Sequence, residues 1–87
     1  MLVKLAKYVK FREEKFGGVL FETRSEKVFA LNSTAAAVVR EFKAGCDEFE
    51  IAIRLSDRFH DPNGAIVHDV VAFIAELRQK RLIEDHA

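Results

Sequence analysis

The repeat of apolar residues changes its period between residues 27 and 36, and this change limits the fold more than any other feature of the chain. Lys27 to Leu31 have the two-residue alternation of a β-strand. Asn32 or Ser33 can then accept a backbone N–H bond as the N-cap of a helix. The residues that follow are apolar at helical spacing: Ala35, Val38, Val39 and Phe42. We therefore expect a sheet before this junction and helices after it.

Two further strands are predicted before the junction. The three strands are residues 8–13, 19–23 and 27–31. Val9 and Phe11 share one face of the first strand, and Gly17 and Gly18 supply the turn that follows it. Because short connections make neighbouring strands pair in sequence order, the pattern predicts an antiparallel meander with its third strand at an edge.

The third strand has little protection at that edge. Edge strands expose unpaired N–H and C=O groups, and charges or prolines usually block their pairing with other chains. Here the charge of Lys27, at the start of the strand, gives only weak protection against such pairing. The segment from Val28 to Leu31 contains neither a charge nor a proline. The residues leave two explanations open. Either the chain's own termini cover the edge, with residues 1–7 as a loose N-terminal arm, or the edge is free for a partner.

Three helices are predicted after the junction. They span residues 33–44, a segment from the Asp47 N-cap to Phe59, and residues 65–80. Gly45 supplies the left-handed residue that ends the first helix, and residues 60–64 form a proline-containing turn before the third. Residues 82–83 are an apolar tail that packs back on the core, and residues 84–87 are expected to fray.

The second helix has more apolar residues than one buried face needs. Its expected core residues are Ile51, Leu55 and Phe59. Phe49 and Ile53 fall on a different face. We expect them either to form an interface, for a homodimer or an enzyme partner, or to be covered by the tail or the N-terminal arm.

The third helix has an unusually wide apolar stripe. Its main stripe is Ile66, Val70, Phe73, Ile74 and Leu77. Val67, Val71 and Ile74 extend that stripe sideways, and it ends at Arg78. These side residues predict either ordinary core packing or one wall of a shallow groove.

Composition excludes several classes of protein. Fourteen basic residues balance fourteen acidic ones, which argues against a dedicated nucleic-acid binder. A single cysteine, Cys46, excludes an internal disulfide and is typical of a reducing cytoplasm. No apolar run approaches the roughly 20 residues that span a bilayer. Cys46 has no histidine near it in sequence, and His60 and His68 lack a compact zinc spacing, so we expect no catalytic, metal or cofactor site.

The chain resembles the PqqD-like family, the small proteins named for pyrroloquinoline quinone biosynthesis. The resemblance begins at Leu31-Asn32-Ser33-Thr34-Ala35 and continues through Gly45, Ile51, Leu55, Phe59, Asp69-Val70, Phe73-Ile74, Leu77 and Leu82-Ile83. It covers roughly residues 8–84. Residues 16–21 also resemble the strand region of relatives that serve radical-SAM peptide maturases. Arg81 departs from the family pattern, because many members have glycine there.

The length of 87 residues predicts a single domain over residues 1–87. The resemblance implies an α+β, winged-helix-like fold for it, with a three-stranded antiparallel meander followed by three helices. It also implies a non-catalytic chaperone that binds the leader of a ribosomally made precursor peptide and presents it to a radical-SAM enzyme. The leader would pair with the third strand by β-augmentation, with its side chains against the third helix. The expected peptide-binding residues are Lys27, Val28, Phe29, Ala30, Leu31, Val67, Val70, Val71, Ile74 and Arg78.

Two alternatives remain. A winged-helix nucleic-acid binder would need basic side chains on a helix that enters a groove, and the second helix is rich in acidic residues. A small enzyme would need a nucleophile beside a base, and the sequence offers no such pair.

Overall fold

The computed structural model describes residues 2–59 and 63–86. These residues form a three-stranded sheet, three helices and a two-stranded sheet that pairs the N-terminal segment with the C-terminal segment. In chain order the elements are β1 (Leu2–Leu5), β2 (Val9–Glu14), β3 (Gly17–Glu22), β4 (Lys27–Leu31), α1 (Ser33–Lys43), α2 (Glu48–Arg58), α3 (Ala65–Gln79) and β5 (Ile83–His86). The predicted α+β, winged-helix-like arrangement is confirmed. Residues 60–62 of the predicted proline turn lie outside the described residues.

The meander has the strand order β2-β3-β4, with both pairs antiparallel. Leu20 is fully buried at the centre, opposite Phe11 on one side and Phe29 on the other. Gly17 begins β3 with φ +146°, and a Cβ there would lie 2.3 Å from the carbonyl oxygen of Leu31. Only glycine therefore lets β3 pass so close to the end of β4.

Local capping chemistry sets the ends of α1 and α2. The Asn32 side chain accepts a 2.8 Å bond from the N–H of Ala35, and Asp47 accepts a 2.9 Å bond from that of Glu50. Gly45, with φ +79°, follows α1 in the left-handed conformation. Both N-caps and the glycine stop were predicted from the sequence and are confirmed.

The core lies between the inner face of the meander and the three helices. Its largest fully buried side chains include Leu20, Val38, Val39, Ile51, Leu55, Val70 and Ile74. Phe59 was expected in this core, but its side chain is 43% exposed because α2 ends at Arg58 and the residue lies at the C-cap.

The N-terminal arm and the C-terminal tail are not loose. β1 and β5 pair antiparallel, with Val3 opposite Asp85 and Leu5 opposite Ile83. Val3 and Ile83 are both buried, so the pairing places one apolar side chain from each end in the core. The predictions of a loose arm over residues 1–7 and of a frayed end over residues 84–87 are therefore wrong for the described residues, and Met1 and Ala87 lie outside them. Packing of Leu82 and Ile83 on the core is confirmed.

Within residues 2–59 and 63–86, no helix has both the length and the apolar composition that crossing a membrane requires.

Candidate functional site

The outer edge of β4 is unpaired. Across the part of the chain that the structure describes, β4 pairs only with β3, through residues 18–22 of β3. The two termini pair with each other in a separate sheet and leave this edge open. An antiparallel edge strand directs the N–H and C=O groups of alternate residues away from its partner. β4 therefore presents backbone groups that another strand could pair with.

A cleft of about 470 Å³ lies between this edge and α3. Its lining residues are Val28, Phe29, Ala30, Leu31, Asn32, Ala35, Phe73, Glu76, Leu77, Lys80 and Leu82. Leu31 and Leu77 are buried, whereas Phe29 and Phe73 are only partly buried and pack against the core. The cleft thus combines an apolar floor with an open strand edge.

Charged groups border the end of the cleft beside the start of β4. A smaller cavity of about 250 Å³ shares Phe29, Lys80 and Leu82 with the cleft and extends it to Lys27. Lys80 forms an ion pair with Glu76 at 3.6 Å, and its Nζ lies 5.9 Å from the centre of the Phe29 ring. Two lysines, Lys27 and Lys80, therefore border this end of the cleft together with Phe29.

The turn between β3 and β4 is held by Glu22 at the same end. The Glu22 carboxylate accepts bonds from the N–H groups of Arg24, at 2.7 Å, and Ser25, at 3.2 Å, and from the Ser25 hydroxyl. The Ser25 hydroxyl and these N–H groups lower the pKa of Glu22. These bonds position the start of β4 relative to β3.

The opposite end of the cleft is more polar. A cavity of about 190 Å³ lies next to α1 and α3 and is lined by Asn32, Thr34, Ala35, Val38, Asp69, Val70 and Phe73. Asn32 and Phe73 also line the main cleft. β4 and α3 therefore run in opposite directions along the cleft, with Lys27 near Lys80 at one end and Asn32 near Asp69 at the other.

The predicted β4 residues lie together at this site. Val28, Phe29, Ala30 and Leu31 all border the cleft. Because side chains alternate along a strand, Phe29 and Leu31 share the face that packs against the core, whereas the exposed Val28 and Ala30 lie on the opposite face. Lys27 lines its extension rather than the cleft itself.

The predicted α3 residues are not on the helix face that borders the main cleft. Val70 and Ile74 are 1% and 0% exposed, and Val70 reaches only the smaller cavity. Val67 packs against the core, and Val71 is 43% exposed but is not among the lining residues. Val67, Val71 and Ile74 therefore lie on a different face of α3 from the one that lines the cleft beside β4.

The α3 wall of the cleft consists of Phe73, Glu76, Leu77 and Lys80, and none of these four was among the predicted peptide-binding residues. These residues recur at three- and four-residue spacing and so share one helix face. Phe73 and Leu77 were assigned to the predicted main stripe, but not to the groove. The charged residues Glu76 and Lys80 complete the face, and an apolar pattern alone does not reveal them.

Arg78 is already bound to two carboxylates. It donates two bonds to Asp85 of β5, from Nε at 3.2 Å and from Nη2 at 2.8 Å. Its Nη2 lies 3.5 Å from Glu48 at the start of α2. The bonds to Asp85 raise the pKa of Arg78, and they lower the pKa of Asp85. Arg78 therefore links α3 to β5 and α2, away from the cleft.

Phe49 and Ile53 are 69% and 61% exposed on α2. The explanation that the tail or the N-terminal arm covers them is wrong, because β1 and β5 pair with each other and leave both side chains exposed. Phe49 borders a shallow cavity with Arg78 and Asp85.

Cys46 and Glu41 form a buried polar group between α1 and α2. The Glu41 carboxylate accepts bonds of 3.2 Å from both Arg54 and Arg58, and the Cys46 thiol lies 3.9 Å from it. Burial raises the pKa of the thiol, so Cys46 stays protonated and is a weak nucleophile. Over the described residues no cluster of His, Cys, Asp and Glu has the geometry to hold a metal ion.

The fold and the cleft define a class of small α+β domain with winged-helix-like architecture, in which the last meander strand is unpaired beside a helix. The chain belongs to the PqqD family: the family model for coenzyme PQQ synthesis protein D (PqqD) matches residues 17–83. The resemblance inferred from the sequence is thereby confirmed. A relative from Rhizobium meliloti (strain 1021), described as a PqqA binding protein, is 29% identical over 83 residues, which cover 95% of this chain and 85% of the relative.

Two solved structures share the fold. One is a lasso peptide synthetase B1 complexed with the leader peptide, with a TM-score of 0.83 and 21% identity, covering 98% of this chain and 100% of the other. The second is TbiB1 in complex with the TbiA(beta) leader peptide, with a TM-score of 0.82 and 19% identity, covering 97% of this chain and 98% of the other. At these identities the likeness shows the fold alone.

Proposed function

We propose that this chain binds the leader segment of a ribosomally made precursor peptide as an additional strand on β4. The observation that carries the proposal is the unpaired β4 edge, which lies beside an apolar cleft of about 470 Å³. In β-augmentation, main-chain bonds give affinity, and pockets for alternate side chains give specificity. Here the edge offers the bonds, and the floor formed with Phe73 and Leu77 offers the pocket.

The relatives support this proposal. The Rhizobium meliloti relative is described as a PqqA binding protein, and both solved structures are complexes with a leader peptide. The chain spans nearly the whole length of each structure, so the elements that would form the site are all present.

The chain would act by position rather than by catalysis. It would hold the precursor and a radical-SAM maturase together, and so raise the effective concentration of the peptide at the enzyme. The iron–sulfur clusters and S-adenosylmethionine would belong to that enzyme, and this chain would hold no cofactor.

The whole of residues 1–87 would act as one peptide-recognition domain in the cytoplasm, without a nucleic-acid or membrane partner. Phe49 and Ile53 would contact the maturase or a second copy of the chain.

Nucleic-acid binding through α2 is a poorer match to the charges on that helix. Arg54 and Arg58 both bond to the buried Glu41, so their guanidinium groups are already paired. Glu50 and Asp57 of the same helix are exposed and would repel phosphate groups.

A binding measurement with two phenylalanine variants tests the proposal. The probe is a synthetic PqqA peptide, because the Rhizobium meliloti relative is described as a PqqA binding protein, and its affinity is measured by calorimetry. Phe73→Ala removes part of the cleft wall and should weaken binding by about tenfold or more, as expected for a buried aromatic contact. Phe49→Ala, on the exposed face of α2, is the control and should leave the affinity unchanged. Equal affinities for both variants would contradict the proposed site.

A further inference from the structure

The outer face of the meander has its own pattern of side chains. The strand register places Lys10, Phe21 and Val28 in one row across β2, β3 and β4. It places Arg12, Val19 and Ala30 in the next row. These residues alternate with the buried Val9, Leu20 and Leu31, so both rows lie on the face opposite the core.

Each row changes from charged to apolar as it approaches the open edge. The cations lie on β2, whereas β4 contributes Val28, which is 62% exposed, and the exposed Ala30. Phe21, beside Val28, is 38% exposed. Edge strands commonly have charged side chains at such positions, because these block pairing with other chains. On this face the two β4 side chains nearest to an incoming strand are instead apolar.

Pairing at the edge would bring a second set of side chains onto this face. Successive side chains of a strand point to opposite faces, so half of those on a bound peptide would face the cleft and half would face outward. A side chain directly opposite another across two antiparallel strands has its Cβ about 4.5–5.5 Å away. Outward side chains of the peptide would therefore lie against Val28 and Ala30, as an extension of the two rows.

We infer that Val28 and Ala30 select the outward-facing side chains of the bound peptide, so that the peptide is recognised on both of its faces. This inference rests on the proposed function. The ligand it defines is a peptide segment that is apolar at the positions facing the cleft and also at the outward position beside Val28. Ala30 is small, and the outward position beside it therefore accepts a large side chain.

A library of random 12-residue peptides displayed on phage is a suitable probe, selected against the immobilised full chain. Peptides selected by the native chain should be apolar at alternate positions for the cleft, and apolar or β-branched at one position between them. Val28→Lys should change that one intervening position to Asp or Glu, and Val28→Glu should change it to Lys or Arg. For a peptide selected on the native chain, each variant should weaken binding by about fivefold, the upper range for one cross-strand pair.

Phe59→Lys is the matched control, because Phe59 is 43% exposed and lies at the C-cap of α2, outside the cleft and outside the proposed partner contacts. It should select the same peptides as the native chain. Ala30→Leu is a second variant, which introduces no charge into the edge strand, and it should favour smaller residues at the outward position beside residue 30. Circular dichroism establishes that each variant is folded before selection.

The outcomes separate this inference from the proposed function. Selected peptides that contact β4 but show the same intervening residues for native, Val28→Lys and Ala30→Leu chains would overturn the inference alone. Two outcomes would overturn both the inference and the proposed function. One is that the selected peptides leave the amide resonances of β4 unchanged in NMR spectra, and the other is that the selection yields no binder. A charge preference that reverses between Val28→Lys and Val28→Glu would establish the outward contact.

Discussion

The hydroxyl of Tyr8 donates a 2.6 Å hydrogen bond to the carbonyl oxygen of Arg81, 73 residues later in the chain. The N–H of Ala6 also donates a 3.0 Å bond to the carbonyl oxygen of Leu82. Together these bonds fasten the loop before β2 to the turn after α3. Because Lys80 and Leu82 border the cleft, the fastening also holds one end of the candidate site in place.

Tyr8→Phe should lower the free energy of unfolding by about 1 kcal/mol, the usual net value of one hydrogen bond. The substitution keeps the ring, over which the Arg24 guanidinium lies 3.4 Å from the ring centre. Urea denaturation followed by circular dichroism measures the change. A variant as stable as the native chain would mean that water replaces the bond at no cost.

Arg81→Gly should raise the free energy of unfolding by about 0.5–1 kcal/mol, because Arg81 has φ +60°. The N–H of Arg81 donates a 3.1 Å bond to the carbonyl oxygen of Arg78, and the N–H of Leu82 donates a 2.9 Å bond to that of Leu77. This is the Schellman pattern, which favours glycine at position 81. Arg81→Ala keeps the strain of a Cβ and serves as the control. Equal stabilisation by glycine and alanine would show that the backbone angle is not the cause.

Glu41→Gln should lower the free energy of unfolding by about 1–2 kcal/mol, because it weakens charged bonds from Arg54 and Arg58 to a carboxylate with a 10% exposed side chain. Glu13→Gln is the control: its ion pair with Arg40 is exposed and should contribute about 0.5 kcal/mol or less. Thermal and urea denaturation give both values. Equal losses in the two variants would contradict a special role for the buried carboxylate.

Asp85→Asn should make the chain less stable at pH 7 by about 0.5–1 kcal/mol, the value of a well-aligned exposed pair. The bonds from Arg78 hold the pKa of Asp85 below its usual value of about 3.9. A group with a lowered folded pKa stabilises the fold above its unfolded pKa, and the stabilisation is lost as the pH falls through the folded pKa. The difference between native and variant chains should therefore begin to shrink as the pH falls below about 4, and it should disappear once the pH is below the lowered pKa of Asp85 in the folded chain.

Glu84→Gln provides the comparison for this pH dependence. Glu84 is the neighbouring residue of β5, and its contact with Lys4 is long, at 4.0 Å, and exposed. Denaturation curves recorded from pH 7 to pH 2 should therefore show little difference from the native chain. A difference for Asp85→Asn that persists unchanged in acid would contradict the linkage.

Features set by local chemistry could be predicted from the sequence. The Asn32 and Asp47 caps, the Gly45 stop and the meander depend on residues that lie close together in the chain. The free edge of β4 was one of two open explanations, since the lack of blocking charges between Val28 and Leu31 is visible in the sequence. The other explanation was that the chain's own termini cover this edge, and it is excluded by the pairing of β1 with β5.

Features set by distant contacts could not be predicted. Strands β1 and β5 pair across opposite ends of the chain, so no turn sequence between them indicates the pairing. The rotation of α3 about its axis depends on which side packs against the core. The helix has two apolar pairs at four-residue spacing, Val67 with Val71 and Phe73 with Leu77, on different faces. The periodicity of the sequence does not show which of the two pairs faces β4.

Hydrogen exchange of the β4 amides, with and without the leader peptide, tests the central claim most directly. Alternate amides between Lys27 and Leu31, those directed to the open edge, should exchange quickly in the free chain and become at least about tenfold slower when the peptide is bound. Amides of α2 should be unaffected. Protection confined to α2 or to the β1–β5 sheet, with the β4 edge still exchanging at its free rate, would contradict peptide pairing at β4.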